Sequence, residues 1–96
     1  MELEFKNENG NLTVKVIGKL DTMTAPKLED ELSKNMNGVT GLVFDLEELK
    51  YISSSGIRVL LTMKKKIGNM KIVNPIDEVM EVFEITGLTE IFNIEK

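Results

Sequence analysis

Apolar and polar side chains alternate along the first sixteen residues, a period that is typical of β-strands with one buried face. Two alternating stretches, residues 2–6 and 11–16, flank the dipeptide Asn9-Gly10. This dipeptide tolerates the positive φ angles of a two-residue type I′ turn. A hairpin closed by that turn places Phe5 opposite Val14, so the apolar side chains of both strands lie on one face. The chain is therefore predicted to open with a β-hairpin.

Three later segments carry apolar residues at the spacing of one face of an α-helix. Their predicted first and last residues are Thr24 and Met36, Ser53 and Ile67, and Asn74 and Gly87. Thr24 and Asn74 are expected to cap their helices, and Pro75 is expected to occupy a first helical position. Gly87 is expected to end the third helix in a left-handed conformation.

Short apolar runs between the helices indicate strands. Residues 42–46 form a nearly continuous run, typical of a strand buried on both faces, and residues 70–73 form a second one. Residues 88–94 are apolar but favour neither type of element. The order β-β-α-β-α-β-α predicts an α/β fold with a mixed, mostly parallel sheet of four or five strands, the first antiparallel, and helices packed on it. No linker interrupts residues 1–96, so a single domain is expected.

The chain contains neither histidine nor cysteine. Without cysteine there are no disulfides, thiolate zinc sites or cysteine nucleophiles. Without histidine the commonest general base is missing. These absences exclude most hydrolase constellations and disfavour an enzyme. We expect no metal or cofactor.

The net charge of −4 argues against nucleic acid or an anionic membrane as a direct partner, because both require a basic surface. No apolar run approaches the roughly 20 residues of a membrane span, and the first residues do not form a signal peptide. The expected location is the cytoplasm. The polar outer face of the hairpin predicts a monomer.

Candidate chemistry lies where strands end and helices begin, since ligands of open α/β sheets bind at that edge. Three segments are expected to converge there, namely Asp21-Thr22-Met23, Asp45 to Ser53, and Asn74-Pro75. The run Ser53-Ser54-Ser55 opens the second helix at this edge. One serine suffices as a helix cap, so three serines exceed what a cap requires. Gly56 is expected to allow close packing of the helix on the sheet.

Alternative roles for these polar residues stay open at this level. The serines serve either as a cap alone or as a functional surface, and a nucleophile or a phosphate-binding loop is disfavoured. No histidine activates them, and no Gly-Lys-Ser/Thr motif accompanies them. Asp45 is either a reactive carboxylate or, more in keeping with its place, an acceptor that organises a loop. Asp21 either contacts a partner or closes a turn, and Met23, outside every apolar stripe, is expected to be exposed.

Three blocks of the sequence resemble those of a known family. The block Tyr51-Ile52-Ser53-Ser54-Ser55-Gly56-Ile57-Arg58-Val59-Leu60, with Asp45-Leu46 before it, is similar to the signature of the anti-sigma factor antagonists. These are single-domain STAS proteins of bacteria. Gly18-Lys19-Leu20-Asp21 with Ala25 and Leu28 looks like that family's second block, and Val73-Asn74-Pro75 with Val82-Phe83 and Gly87-Leu88 looks like its third.

The resemblance implies a partner switch. The unmodified protein would bind an anti-sigma factor serine kinase of the GHKL type and release a sigma factor. Phosphorylation of the serine that maps onto Ser54 would break that complex, and a phosphatase would reverse it. The expected partner-binding surface surrounds this serine and comprises Asp21, Thr22, Met23, Ser53, Ser55, Gly56 and Arg58.

One position departs from the family pattern. Many regulated members carry aspartate directly before the accepting serine, where this chain has Ser53. Ser53 and Ser55 therefore remain alternative acceptors. A constitutive STAS scaffold that binds partners without phosphorylation remains an alternative function. A small α/β enzyme or nucleotide binder is a third, disfavoured by the missing histidine, cysteine and phosphate loop.

Overall fold

One mixed sheet of six strands carries three α-helices in this computed structural model, which describes residues 1–96. The strands are β1 (Glu2–Glu8), β2 (Asn11–Leu20), β3 (Gly41–Asp45), β4 (Leu49–Ile52), β5 (Met70–Val73) and β6 (Asn93–Glu95). The helices are α1 (Ala25–Lys34), α2 (Ser54–Lys66) and α3 (Asp77–Ile85), and a 3₁₀ turn (Leu88–Glu90) precedes β6.

The predicted hairpin is confirmed in its register. Phe5 lies opposite Val14, and the antiparallel pairing extends from Glu2 opposite Ile17 to the turn. Asn9 and Gly10 have φ angles of 54° and 90°. Both central residues of a type I′ turn require positive φ, which explains why this dipeptide sets the register.

The sheet has the order β1-β2-β3-β5-β6, and β4 pairs with β2 beyond the end of β3. β1 is antiparallel to β2, whereas all other pairs are parallel, as predicted. The sheet has six strands rather than the expected four or five. β4 and β6 were missed because they are short, four and three residues, and depend on pairing with strands distant in sequence.

The helices cover one face of the sheet. Side chains in register on β2, β3 and β5 form fully buried rows, such as Val14, Phe44 and Ile72. Their neighbours on the other face, including Val43, are only partly buried. The expectation that β3 is buried on both faces is therefore wrong, because no helix lies over the second face. The buried apolar residues form one cluster of 21, and no polar or charged side chain is buried with them.

Two predicted helix boundaries differ from the structure. α1 ends at Lys34, before Met36, because the side-chain amide of Asn35 donates a hydrogen bond to the Glu31 carbonyl and the backbone leaves the helix there. α3 begins at Asp77, so Asn74 and Pro75 do not cap or open it.

The segment between β5 and α3 has a different role. Asn74 adopts a left-handed conformation with φ of 57°, and its backbone N–H donates to the Glu95 carbonyl. The residue therefore continues the pairing of β5 with β6 and turns the chain away from the sheet. Gly87, with φ of 75°, ends α3 in the predicted left-handed conformation.

Phe83 anchors α3 to the rest of the core. It is fully buried, and its ring packs edge-on against Phe92 with 5.9 Å between ring centroids. Phe83→Ala is expected to lower the free energy of unfolding by about 3–5 kcal/mol, because it removes buried area and leaves a cavity. Ile85→Ala on the same helix, at a side chain that is 77% exposed, is expected to change it by less than about 0.5 kcal/mol. Urea unfolding measures both, and equal losses would contradict this packing.

Candidate functional site

The loop after β2 and the start of α2 lie side by side at one end of the sheet. Leu20 and Ile52 are partners in the parallel pairing of β2 with β4, and the Ser53 N–H donates to the Leu20 carbonyl at 2.9 Å. The hydroxyls of Thr22 and Ser55 are 3.4 Å apart. We call this surface, residues 21–24 and 53–58, the serine rim.

The three consecutive serines have three different environments. Ser53 is the N-cap of α2, and its hydroxyl accepts a hydrogen bond from the Gly56 N–H at 3.4 Å. Ser55 contacts Thr22 and is partly buried. Ser54, at the first position of the helix, is exposed, and its hydroxyl makes no intramolecular hydrogen bond. Ser53 thus caps α2, Ser55 joins α2 to the loop after β2, and only Ser54 has a free hydroxyl exposed to solvent.

Gly56 sets how closely α2 approaches the sheet. It is buried, and a Cβ atom there would lie 2.7 Å from Leu20 Cγ and 3.0 Å from Ile52 Cγ1. These distances are shorter than van der Waals contact, so no larger residue fits without displacing core side chains. Gly56 therefore contributes to the rim by positioning the helix and presents no side chain to a partner.

Asp21 closes the turn between β2 and α1. Its carboxylate accepts hydrogen bonds from the backbone N–H groups of Met23 at 2.9 Å and Thr24 at 3.1 Å. The bond from the Thr24 N–H is the largest cause of a lowered pKa at Asp21, and the bond from the Met23 N–H adds to it. Of the two roles considered for Asp21, closing the turn is the one seen in the structure.

Thr24 does not cap α1 through its side chain, contrary to the prediction. Its hydroxyl instead accepts from the Asp21 N–H at 2.8 Å and donates to the Lys19 carbonyl at 2.9 Å. Its backbone is helical rather than extended, which is unlike an ordinary N-cap. Asp21 and Thr24 together hold the loop that carries Thr22 and Met23.

The serine rim carries two long side chains that are exposed, those of Met23 and Arg58. Met23 is 82% exposed, as its position outside the apolar stripes predicts, and Arg58 is exposed one helical turn after Ser54. A shallow groove of about 290 Å³ runs between α1 and α2, with Arg58, Ser55 and Glu29 among its lining residues. Tyr51, 50% exposed and paired in register with Lys19, adds an aromatic side chain at the end of β4. No sequence signal marks Tyr51 as exposed, since its exposure depends on β4 being a strand.

Asp45 and Asn74 do not join the serine rim. Asp45 accepts hydrogen bonds from the Glu47 N–H at 3.1 Å and from the Asn74 side chain at 3.4 Å, which is the loop-organising role considered for it. β3 ends where Asp45 pairs with Lys15 of β2, five residues before Leu20. At about 3.3 Å per residue this is roughly 16 Å short of the rim. Of the three segments expected to converge, only the loop after β2 and the serines at the start of α2 meet, because β2 extends past β3.

Residues 2–96 match the family model described as the STAS domain. The chain belongs to this family. None of its helices has the length and apolar composition needed to cross a lipid bilayer.

Relatives and solved structures agree with this assignment. A Bordetella bronchiseptica protein assigned as an anti-sigma factor antagonist, BtrV, is 34% identical over 98% of this chain and 85% of its own length. The anti-sigma-B factor antagonist of Bacillus subtilis is 26% identical over 98% of this chain and 90% of its own length. The fold is shared with the Bacillus anti-sigma factor antagonist SpoIIAA, solved unphosphorylated (TM-score 0.84, 19% identity, 99% of this chain and 88% of that one). The phosphorylated form of SpoIIAA also shares the fold (TM-score 0.75, 18% identity, 99% of this chain and 91% of that one).

Gly56→Ala tests the close approach of α2 to the sheet. The added methyl group overlaps the fully buried Leu20, and we expect a net loss of about 1–2 kcal/mol in the free energy of unfolding after the better helix propensity of alanine is counted. Gly68→Ala is the matched control, because its Cβ would meet nothing within 4 Å. Denaturant unfolding of both variants measures the difference, and a Gly56→Ala protein as stable as the control would contradict the packing described.

Asp21 makes a pH-dependent contribution to stability. Its pKa in the folded protein lies below the ordinary aspartate value of 3.8, so its stabilising effect is complete above that pH and is lost as the pH falls through the folded pKa. We expect Asp21→Asn to be less stable than wild type at pH 7 and the difference to shrink below about pH 3.8. Urea unfolding across this range measures it. Asp30→Asn, at an exposed carboxylate of α1, is the control, and a pH-independent difference at Asp21 would contradict the assignment.

Proposed function

We propose that this protein is an anti-sigma factor antagonist whose serine rim binds an anti-sigma factor kinase of the GHKL type and thereby releases a sigma factor. Phosphorylation of Ser54 ends the interaction, and a phosphoserine phosphatase restores it. The protein acts in the cytoplasm as a monomer and is a kinase substrate, not a catalyst. The names of its relatives support the general function.

The observation that carries the proposal is the exposure of Ser54. Its neighbours are engaged, because Ser53 caps α2 and Ser55 contacts Thr22. Ser54 has a free hydroxyl on a helix end held against the sheet, and a kinase can reach it without unfolding any element. These environments favour Ser54 over Ser53 and Ser55 as the acceptor.

The switch follows from the charge that phosphorylation adds. The kinase transfers the γ-phosphoryl group of ATP to Ser54 Oγ, ADP leaves, and the hydroxyl proton passes to a base of the kinase. The product carries about −1.5 to −2 additional charge at neutral pH. The start of a helix tolerates that charge, so the fold is kept. Against a packed partner surface the same charge is desolvated and repelled, which weakens binding by several kcal/mol.

The partner surface proposed here is compact. Thr22, Met23 and Arg58 are exposed residues of the serine rim, and Asp21 fixes the loop that carries the first two. Met23 offers an adaptable apolar contact and Arg58 a charged one, a combination common at protein interfaces.

The alternative of a constitutive STAS scaffold is favoured by one observation. Ser53 stands where many regulated members of the family carry aspartate, and its hydroxyl serves the capping role that an aspartate would fill. If kinase recognition requires that carboxylate, the rim binds its partner irrespective of ATP. Partner binding that is insensitive to ATP would identify this alternative.

Substitutions at Ser54 test the switch. We expect Ser54→Ala to bind the cognate kinase like wild type and to accept no phosphate when incubated with kinase and ATP. Ser54→Asp is expected to raise the Kd at least about tenfold, because it places a charge in the interface. Isothermal titration calorimetry measures binding, and mass spectrometry locates the phosphate.

Ser33→Asp is the control for added charge. Ser33 is exposed on α1, its hydroxyl donates to the Glu29 carbonyl, and it does not belong to the serine rim or line the groove beside it. This variant is expected to bind the kinase like wild type. Phosphate on a residue other than Ser54, or wild-type affinity in Ser54→Asp, would contradict the proposal.

A further inference from the structure

Arg58 is the sole arginine of the chain, and it has no ionic partner. It lies four residues after Ser54 on α2, and its side chain is exposed. The four ion pairs of the structure all involve lysine. Glu29 of α1 lines the same groove as Arg58, yet the two form no ion pair. The guanidinium is therefore available to an anion.

Ser54 and Arg58 are neighbours on the surface of α2. Residues four apart on a helix share a face, with about 5–6 Å between their Cβ atoms. A phosphate on Ser54 Oγ lies within reach of the long arginine side chain from that distance. The planar guanidinium presents paired N–H donors that match two phosphate oxygens, which a lysine ammonium does not.

The other charged groups around this position do not replace Arg58. Asp21 is held in its turn by backbone N–H groups, with Lys19 as a nearby positive charge. Lys19 lies on β2, whereas Arg58 shares the helix with Ser54. Glu29 is the negative charge that lines the groove from α1 and would compete weakly for the guanidinium.

We propose that Arg58 binds the phosphate of phosphorylated Ser54 and acts as an intramolecular clamp. This inference rests on the proposed phosphorylation of Ser54. In the clamped form the guanidinium contacts two phosphate oxygens and is withdrawn from the partner surface. Phosphorylation then weakens the partner complex in two ways, since it adds negative charge and removes a basic contact.

The clamp is tested on protein that carries phosphoserine at position 54, introduced during synthesis so that no kinase is needed. A ³¹P NMR titration measures the second pKa of the phosphate, which is about 6 without a specific partner. A neighbouring cation lowers this pKa, so Arg58→Gln is expected to raise it by about 0.2–0.5 units. The Arg58 Nε–H resonance of the wild type is expected to move on phosphorylation.

Two further variants separate the clamp from the effect of charge alone. Lys65→Gln removes the same charge from the same helix at a position about 16 Å along its axis from Ser54, and it is expected to shift the pKa by less than about 0.1 units. Arg58→Lys keeps the charge without the paired donors and is expected to give an intermediate pKa.

A phosphoserine that titrates identically in wild type, Arg58→Gln and Lys65→Gln, with an unmoved Arg58 Nε–H resonance, would overturn the clamp. That result leaves the proposed function standing, because the phosphate was installed without a kinase. Failure of every GHKL-type kinase of the host to modify Ser54 contradicts the proposed function, while the clamp is still measured on the synthetic phosphoprotein.

Discussion

The pairing of β2 with two strands in succession is the constraint on which the rest of the molecule depends. β2 has ten residues, and its first half pairs with β3 while its end pairs with β4. The Ser53 N–H continues this pairing by donating to the Leu20 carbonyl. The first turn of α2 is thereby held to the strand that leads into the β2–α1 loop. Without the overhang of β2 beyond β3, the serines and that loop would not meet.

Close packing turns this connection into a rigid platform. Gly56 lets α2 lie against Leu20 and Ile52, and Asp21 and Thr24 tie the neighbouring loop with hydrogen bonds to its own backbone. The polar groups near the rim are thus satisfied locally, and the core beneath them is wholly apolar. Such a platform presents side chains in fixed positions, which lowers the entropic cost of binding a partner.

The exposed position of Ser54 means that a charge added there would act by electrostatics and not by refolding. Ser54 contributes nothing to the core or to a cap, so a phosphate there removes no contact that stabilises the fold. Its consequences would be confined to the surface, where Arg58 lies one helical turn away on the same helix.

Elements with local signals could be predicted from the amino-acid sequence. The Asn9-Gly10 turn established the hairpin register, apolar spacing located three helices, and Gly87 marked the end of α3, because φ preferences and periodicity act within a few residues. Only the tertiary structure decided the rest. β4 and β6, the open face beside Val43, and the separation of Asp45 from the serine rim all depend on strands pairing across long stretches of sequence. The different environments of Ser53, Ser54 and Ser55 also depend on the tertiary structure. Successive helical residues point about 100° apart, and only the packing of α2 determines which serine contacts Thr22 and which faces solvent.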